Sequence, residues 1–286
     1  MTEPKAYPSP RALLDRYDLR AKKSWGQNFL GDQAVLADIA QLAAPRAGET
    51  VLELGAGLGH LTAQLLARGA TVVAVERDRE MVQVLRGELG EAITLLEADA
   101  ARLEWPGLAD RYGTPDAPGG VPRLSVAGNL PYHLTSPILF SLLDHAPRIR
   151  RAVFLLQREV AERLAAPPGS RDWGLLSVLL QREADVSVER RVPPGAFWPP
   201  PRVESAVLCA WFRDAAEPVA DPARFRRLVK AGFAQRRKTL RNALEAGRVV
   251  EPERLAAALA AAGIDPGRRG ETLTVAEWAA LDRALG

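Results

Sequence analysis

The pattern of apolar and polar positions changes character once along the chain. Through the first 180 residues, short apolar runs rich in β-branched residues alternate with segments that carry apolar residues at helical spacing. Residues 50–54, 71–76, 93–97, 123–128 and 151–157 are predicted to be buried strands. Residues 33–43, 60–67, 79–89 and 136–143 are predicted to be helices between them. Such alternation implies a parallel sheet covered by helices on both faces. Residues 185–192 and 203–212 then follow one another without a helix, as a long-looped antiparallel pair would. After Phe212 only helical periodicity remains, at 224–234, 239–246, 252–262 and 275–285. Thr274 with Glu277 three residues later predicts a capping box for the last of these.

Strand–helix units closed by a final strand pair give an α/β fold: a Rossmann-like, seven-stranded sheet of the class I methyltransferase type, with a small all-helical C-terminal domain. The expected division is an N-terminal tail at 1–21, the sheet domain at 22–214 and the helical domain at 215–286. Residues 113–122, rich in Gly and Pro, read as a surface loop, and residues 214–222 as a linker.

Composition narrows the classes. With 47% hydrophobic and 26% charged residues, the chain has the balance of an ordinary soluble protein. No apolar run approaches the roughly 20 residues that span a bilayer. Residues 1–10 are polar and proline-rich, which argues against a secretory signal, so a cytoplasmic location is expected. Cys209 is the single cysteine and sits in an apolar run, as a core residue would. His60, His133 and His145 are scattered without metal-ligand spacing, and no metal is expected.

Net charge is only +3, but its distribution is uneven. Residues 224–241 hold eight basic side chains (Arg224, Arg226, Arg227, Lys230, Arg236, Arg237, Lys238 and Arg241) and no acidic one. A solvated helix face explains any one pair of them. An unbalanced block resembles a surface that contacts phosphates.

Two motifs carry chemistry. Asn129-Leu130-Pro131-Tyr132 follows the predicted strand at 123–128. An amide side chain and a backbone carbonyl can accept both N–H bonds of an exocyclic amine, while a tyrosine ring stacks on the attached base. Proline stiffens the turn that holds them. A strand ending in a proline turn, with Tyr132 as half-buried filler, is the plainer alternative. The second motif, Glu53-Leu54-Gly55-Ala56-Gly57-Leu58-Gly59, follows the first strand and opens a helix. Its glycines permit close approach of a ligand to the backbone. A dinucleotide fingerprint, G-x-G-x-x-G, needs its third glycine at position 60, where this chain has His60, so a pyrophosphate site is disfavoured. Glu76, at the end of the second strand, is placed to bind ribose hydroxyls. Asp99, after the third, is placed to bind an adenine amine or equally to cap a helix. Together these favour S-adenosylmethionine as the ligand.

These residues, taken with Lys22-Lys23-Ser24-Trp25-Gly26-Gln27-Asn28-Phe29-Leu30, the run from Phe197 to Ser205 and the run from Phe233 to Leu240, closely resemble the small-subunit ribosomal RNA adenine dimethyltransferases. The resemblance covers nearly the whole chain. It implies transfer of methyl groups from S-adenosylmethionine to N6 of two adjacent adenosines in a hairpin near the 3′ end of that RNA. The partner implied is small-subunit rRNA within a pre-ribosomal particle, and a monomer is expected. Position by position, it implies that Asn28 and Leu30 close over the methionine end of the cofactor, Gly55 contacts it by backbone, Glu76 binds the ribose and Asp99 the adenine. Asn129 would contact both cofactor and target amine, the Pro131 carbonyl would accept from that amine, and Tyr132 and Phe197 would sandwich the base. Read without the family, Phe197 is a plain core residue ahead of a rigid turn. Ala56, Trp25 and Arg202 depart from the usual family residues, and Trp25 bears on the lid geometry. The related large-subunit rRNA adenine methylases share the Phe197–Ser205 block and are the runner-up; a non-catalytic RNA-binding assembly factor is the alternative from another class.

Overall fold

The computed structural model describes residues 7–214 and 217–286. The chain divides into two compact units: Met1–Ala161 with Ser187–Phe212, and Glu162–Val186 with Arg213–Gly286.

The first unit is built on strands β1 (Thr50–Leu54), β2 (Thr71–Glu76), β3 (Thr94–Glu97), β4 (Pro122–Asn129), β5 (Ile149–Gln157), β6 (Ala184–Val192, of which 187–192 fall in this unit) and β7 (Ser205–Phe212), in the order β3-β2-β1-β4-β5-β7-β6. Neighbours from β3 through β5 pair in parallel, and β7 runs antiparallel to β5. The sheet has apolar residues on both faces because both are covered: Val51, Leu52, Leu54 and all of Val72 to Val75 are inaccessible. Helix α2 (Gln33–Ala43), capped by Asp32, packs Val35, Leu36, Ile39, Ala40 and Ala43 into one core cluster with β1, β2, β5 and β7 residues. Cys209 is fully buried there, and burial pushes its thiol up to about 12.

The strand order reverses direction at β1 and β4, and ligands in such sheets bind beyond the carboxyl ends at that point. Register sets the consequence. Glu53 on β1 pairs with Ala127 on β4, so the glycine loop after β1 and the turn after β4 emerge side by side.

Where the sequence predicts a tail, residues 10–16 form helix α1 (Pro10–Arg16), capped by the Ser9 hydroxyl. Its Leu13 and Leu14 pack in a cluster with Phe29, Leu58, Met81 and Val84. Residues 1–6 of that expected tail lie outside the described residues, as do 215 and 216 of the expected linker. Helix α3 (His60–Ala67) opens from the glycine loop, and α4 (Arg79–Glu88) is capped by Asp78. Two further helices, α5 (Trp105–Tyr112) and α6 (Thr135–Leu143), are tied by a bond from Trp105 Nε1 to Ser141 Oγ at 2.9 Å. In the predicted 113–122 loop, Thr114–Pro115 folds back to pair with the start of β4. Helix α7 (Arg158–Leu164) follows β5.

The second unit contains α8 (Leu175–Glu183), α9 (Pro222–Ala234), α10 (Leu240–Ala246), α11 (Pro252–Ala261) and α12 (Val275–Ala284). Residues 162–186, read from sequence as part of the sheet domain, cluster with these helices. The reason is packing: Trp173 is fully buried and its Nε1 donates to the Leu273 carbonyl at 3.1 Å, while Arg182 stacks on Phe225. Gly232 leaves room for Trp278, whose ring would lie 2.4 Å from an added Cβ. The Thr274–Glu277 capping box forms as predicted.

The basic block is not one uniform surface. Arg224 is bound to the fully buried Asp282, Arg236 to Glu271 and to the Arg171 and Trp173 carbonyls, and Arg241 to Glu245. Arg227, Lys230, Arg237 and Lys238 are exposed. Among the described residues no helix is long and apolar enough to cross a membrane.

Candidate active site

A cavity of about 220 Å³ opens at the reversal point between β1 and β4. Its wall includes Asn28, Leu30, Gly55, Glu76, Asn129, Pro131 and Tyr132, so the segments quoted from sequence converge on one cleft. The glycine loop crosses it with Gly55, Gly57 and Gly59 at φ of +70°, +55° and +83°, a region L side chains rarely adopt. Gly57 has a second constraint, since an added Cβ would sit 3.3 Å from the Phe29 ring.

Glu76 is nearly inaccessible, and burial raises its carboxyl above the ordinary range. Backbone N–H groups of Gly57, Arg77 and Asp78 donate to it at 2.8, 2.7 and 2.8 Å, opposing that shift and fixing its orientation. Glu53 also lines the cleft from beneath the loop, and burial pushes it up to about 8. Its Oε2 accepts the Thr62 hydroxyl at 2.6 Å. No motif in the sequence assigns Glu53 a role; an acid at the end of a strand entering a glycine loop was the available signal.

Asn28 and Asn129 meet directly. The Asn129 Nδ2 donates to the Asn28 carbonyl at 2.9 Å, and the Asn28 Nδ2 donates to the Gly26 carbonyl. The loop bearing Asn28 is held down through Gln27, which donates to Asp78 at 2.8 Å and accepts from the Lys22 backbone, while Lys22 Nζ bonds the same Asp78. The Pro131 carbonyl takes the Leu134 N–H at 2.9 Å, leaving one lone pair for another donor. Tyr132 borders the cleft with its hydroxyl 3.0 Å from Ser205 Oγ.

Two expected site residues stand elsewhere. Asp99 caps a short turn of helix through Ala101 N–H and binds Arg77 at 3.1 Å; its neighbours Ala98 and Ala100, not Asp99 itself, line the cleft. Arg77 in turn stacks 4.6 Å over the Trp25 ring, which Lys22 also approaches, so Trp25, Arg77 and Asp99 form a chain at the cleft. Phe197 is 5% exposed and belongs to the core cluster rather than to the cleft wall. It reaches the site through a two-residue strand, Phe197–Trp198, that pairs with Phe29–Leu30 so that Phe197 lies opposite Leu30.

The lining fits an adenosine ligand that carries positive charge. It offers the buried carboxylate of Glu76 beside the buried carboxyl of Glu53, and its one arginine is occupied by Asp99 and Trp25. Among the described residues, a pyrophosphate would find no free cation at the glycine loop, because His60 is buried against the Pro8 carbonyl. Among the described residues no cluster of His, Cys, Asp and Glu could hold a metal.

Fold and cleft together define a class I methyltransferase architecture. Comparison with known proteins gives the family: the Ribosomal RNA adenine dimethylase profile matches residues 18–284, and the chain belongs to that family. It is 79% identical over 280 residues to the Ribosomal RNA small subunit methyltransferase A of Anaeromyxobacter sp. (strain K), covering 98% of this chain and 99% of the relative. The protein of that name from Myxococcus xanthus is 52% identical, over 97% and 95%. Among solved structures, the 23S rRNA methyltransferase ErmE is 27% identical with a TM-score of 0.64, covering 90% of this chain and 99% of that one. A dimethyladenosine transferase from Plasmodium falciparum shares the fold with a TM-score of 0.72 at 22% identity, over 88% and 95%.

Proposed function

We propose that this chain uses S-adenosylmethionine to convert two adjacent adenosines near the 3′ end of small-subunit rRNA into N6,N6-dimethyladenosine, acting on a pre-ribosomal particle as a monomer. The observation that carries the reading is the junction of Asn129 with Asn28 in the glycine-lined cleft. With Nδ2 committed to a backbone carbonyl, the amide's Oδ1 is the atom left to accept from an incoming amine.

S-adenosylmethionine supplies a methyl group on a cationic sulfur. Gly55 approaches it by backbone, Glu76 accepts from the ribose, and Asn28 and Leu30 cover the methionine end. Asp99 serves the adenine end, which requires the Arg77 contact to yield or to be shared. The Glu76 carboxylate, whose charged form three backbone N–H groups favour, complements the cation.

The adenine amine is a poor nucleophile because its lone pair is delocalised into the ring. Hydrogen bonds from it to Asn129 Oδ1 and to the Pro131 carbonyl favour a pyramidal nitrogen and aim it at the methyl. No strong base is needed, because the methylated nitrogen would carry an acidic proton that water can take; positioning and electrostatics carry the rate. Tyr132 supplies one stacking face for the base. Phe197 supplies the other only if the short strand it shares with Leu30 shifts to bring the ring forward, a small repacking of the kind that base capture can drive. The exposed basic residues of α9 and the turn after it contact RNA phosphates.

The 79% identity over nearly full length to a small-subunit enzyme, against 27% for ErmE, supports the small-subunit substrate. The test is incubation with labelled S-adenosylmethionine and, in parallel, undermethylated small-subunit particles, large-subunit particles and free rRNA. Label in dimethyladenosine of the small-subunit particle is expected. Label confined to the large subunit would move the assignment to the ErmE-like activity.

A further inference from the structure

We propose that residues 7–17 form a strap that pre-shapes the cofactor loop, with Tyr7 and His60 as its positioning residues. Both matter to catalysis only if the glycine loop holds S-adenosylmethionine as proposed above.

The glycine loop needs an outside brace. Glycines at positive φ make it compatible with close ligand approach, and the same glycines leave it with much backbone freedom to lose on binding. Within the loop, the N–H groups of Gly55 and Gly57 are held by Val75 and Glu76. Its far end, Leu58-Gly59-His60, is gripped by residues more than fifty positions away in sequence. The Tyr7 hydroxyl donates to the Leu58 carbonyl at 2.8 Å. His60 Nε2 lies 2.9 Å from the Pro8 carbonyl and donates to it. The two rings meet edge to face at 5.3 Å and 87°.

The fit is built from both sides. Gly59 stands at φ +83°, and an added Cβ would lie 2.6 Å from the Tyr7 hydroxyl, so this glycine makes space for the strap as well as for the turn. Farther along, the Tyr17 hydroxyl and Arg16 both bind Glu88 at the end of α4, and Gly87 leaves room for Tyr17. Between these anchors Leu13 and Leu14 pack on Leu58, Met81 and Val84. Leu58, His60 and Met81 line the cleft, so the strap fastens the loop and α4 from behind while their other sides face the ligand. Burial keeps the Tyr7 phenol protonated well above its ordinary value and holds His60 neutral, so both remain donors of the required kind.

The experiment compares the full chain with Tyr7→Phe, His60→Ala and His60→Gln, using S-adenosylmethionine titrations by calorimetry together with cofactor KM and kcat. Tyr7→Phe deletes one oxygen and keeps the ring on His60, so folding is preserved. Losing one donor is expected to raise the cofactor Kd by about three- to tenfold. KM for the cofactor should rise more than kcat falls. His60→Gln, which keeps an N–H able to reach the Pro8 carbonyl, should recover most of what His60→Ala loses. Unchanged Kd in folded Tyr7→Phe and His60→Ala, with only a lower melting temperature, would overturn the strap's role in binding. If the unaltered chain binds no S-adenosylmethionine, the cofactor reading itself falls and the strap's purpose with it.

Discussion

The hydroxyl of Tyr132 lies 3.0 Å from Oγ of Ser205, joining the turn after β4 to the first residue of β7. Ser205 is fully buried and opposite Gln157 in the ladder with β5, so it is a fixed post. Burial raises the Tyr132 phenol, keeping it a neutral hydrogen-bonding group. The tether sets the plane of a ring whose proposed task is stacking.

Ser205→Ala and Tyr132→Phe should therefore each slow methyl transfer by about five- to tenfold, the scale of one hydrogen bond. The double variant should cost little more than either alone, because both remove the same contact. Additive losses in a double-mutant cycle would show that the two residues act separately.

Phe197 is a core residue in this structure, so truncation has two effects that must be separated. Phe197→Ala is expected to cost about 3–5 kcal/mol of stability, as buried Phe truncations do. Phe197→Leu should largely keep the fold while losing the flat ring. A strong fall in transfer rate with a melting temperature near that of the unaltered chain is expected from Phe197→Leu; normal turnover would remove Phe197 from the base site.

Stability should depend on pH through two buried groups in the glycine-loop region. Glu53 titrates at about 8 in the folded chain, whereas an unfolded carboxyl titrates near ~4.3. Between those values the native state holds a proton that the unfolded state has released, so stability falls as pH rises. His60 titrates at about 4 when folded, against ~6.5 unfolded. In its window the unfolded state binds the extra proton, so stability falls as pH drops. The two oppose each other below ~6.5, leaving the range from ~6.5 to ~8 to Glu53. Chemical denaturation across that range should show declining stability, and Glu53→Gln should flatten it. An unchanged slope in that variant would refute the assignment.

The basic residues should divide by their partners. Replacing Arg227, Lys230, Arg237 and Lys238 together with Gln should weaken RNA binding and lower the salt-dependence slope by up to about 3. Arg236→Gln should instead lower the melting temperature, because Arg236 binds Glu271 and two backbone carbonyls. Filter-binding titrations over a salt series, beside thermal melts, distinguish the two groups.

The sheet and its flanking helices were legible because β1, β2 and β5 are mostly apolar and α2 and α4 carry apolar stripes that pack into the buried clusters. Helices α1, α5, α7 and α8 were not: α1 presents only Leu13 and Leu14 as its apolar face, and α8 is apolar around most of its surface, a pattern without a period. The meeting of Asn129, Gly55 and Glu76 followed from strand ends, since parallel neighbours bring those ends together. Asp99 could be read as ligand or cap, and its carboxylate is a cap with an arginine partner. The burial of Phe197 depends on pairing with Leu30, a contact between distant segments that no local pattern encodes. The grip of Tyr7 on the glycine loop was hidden for the same reason.

The most direct measurement is single-turnover methyl transfer by Asn129→Ala on small-subunit particles, with S-adenosylmethionine affinity determined in parallel. Transfer slowed by about a hundredfold or more, the scale of losing an aligned positioning contact, with cofactor affinity changed only a few-fold, is the expected result. A transfer rate equal to that of the unaltered chain would contradict the assignment of Asn129 as the group that holds the target amine.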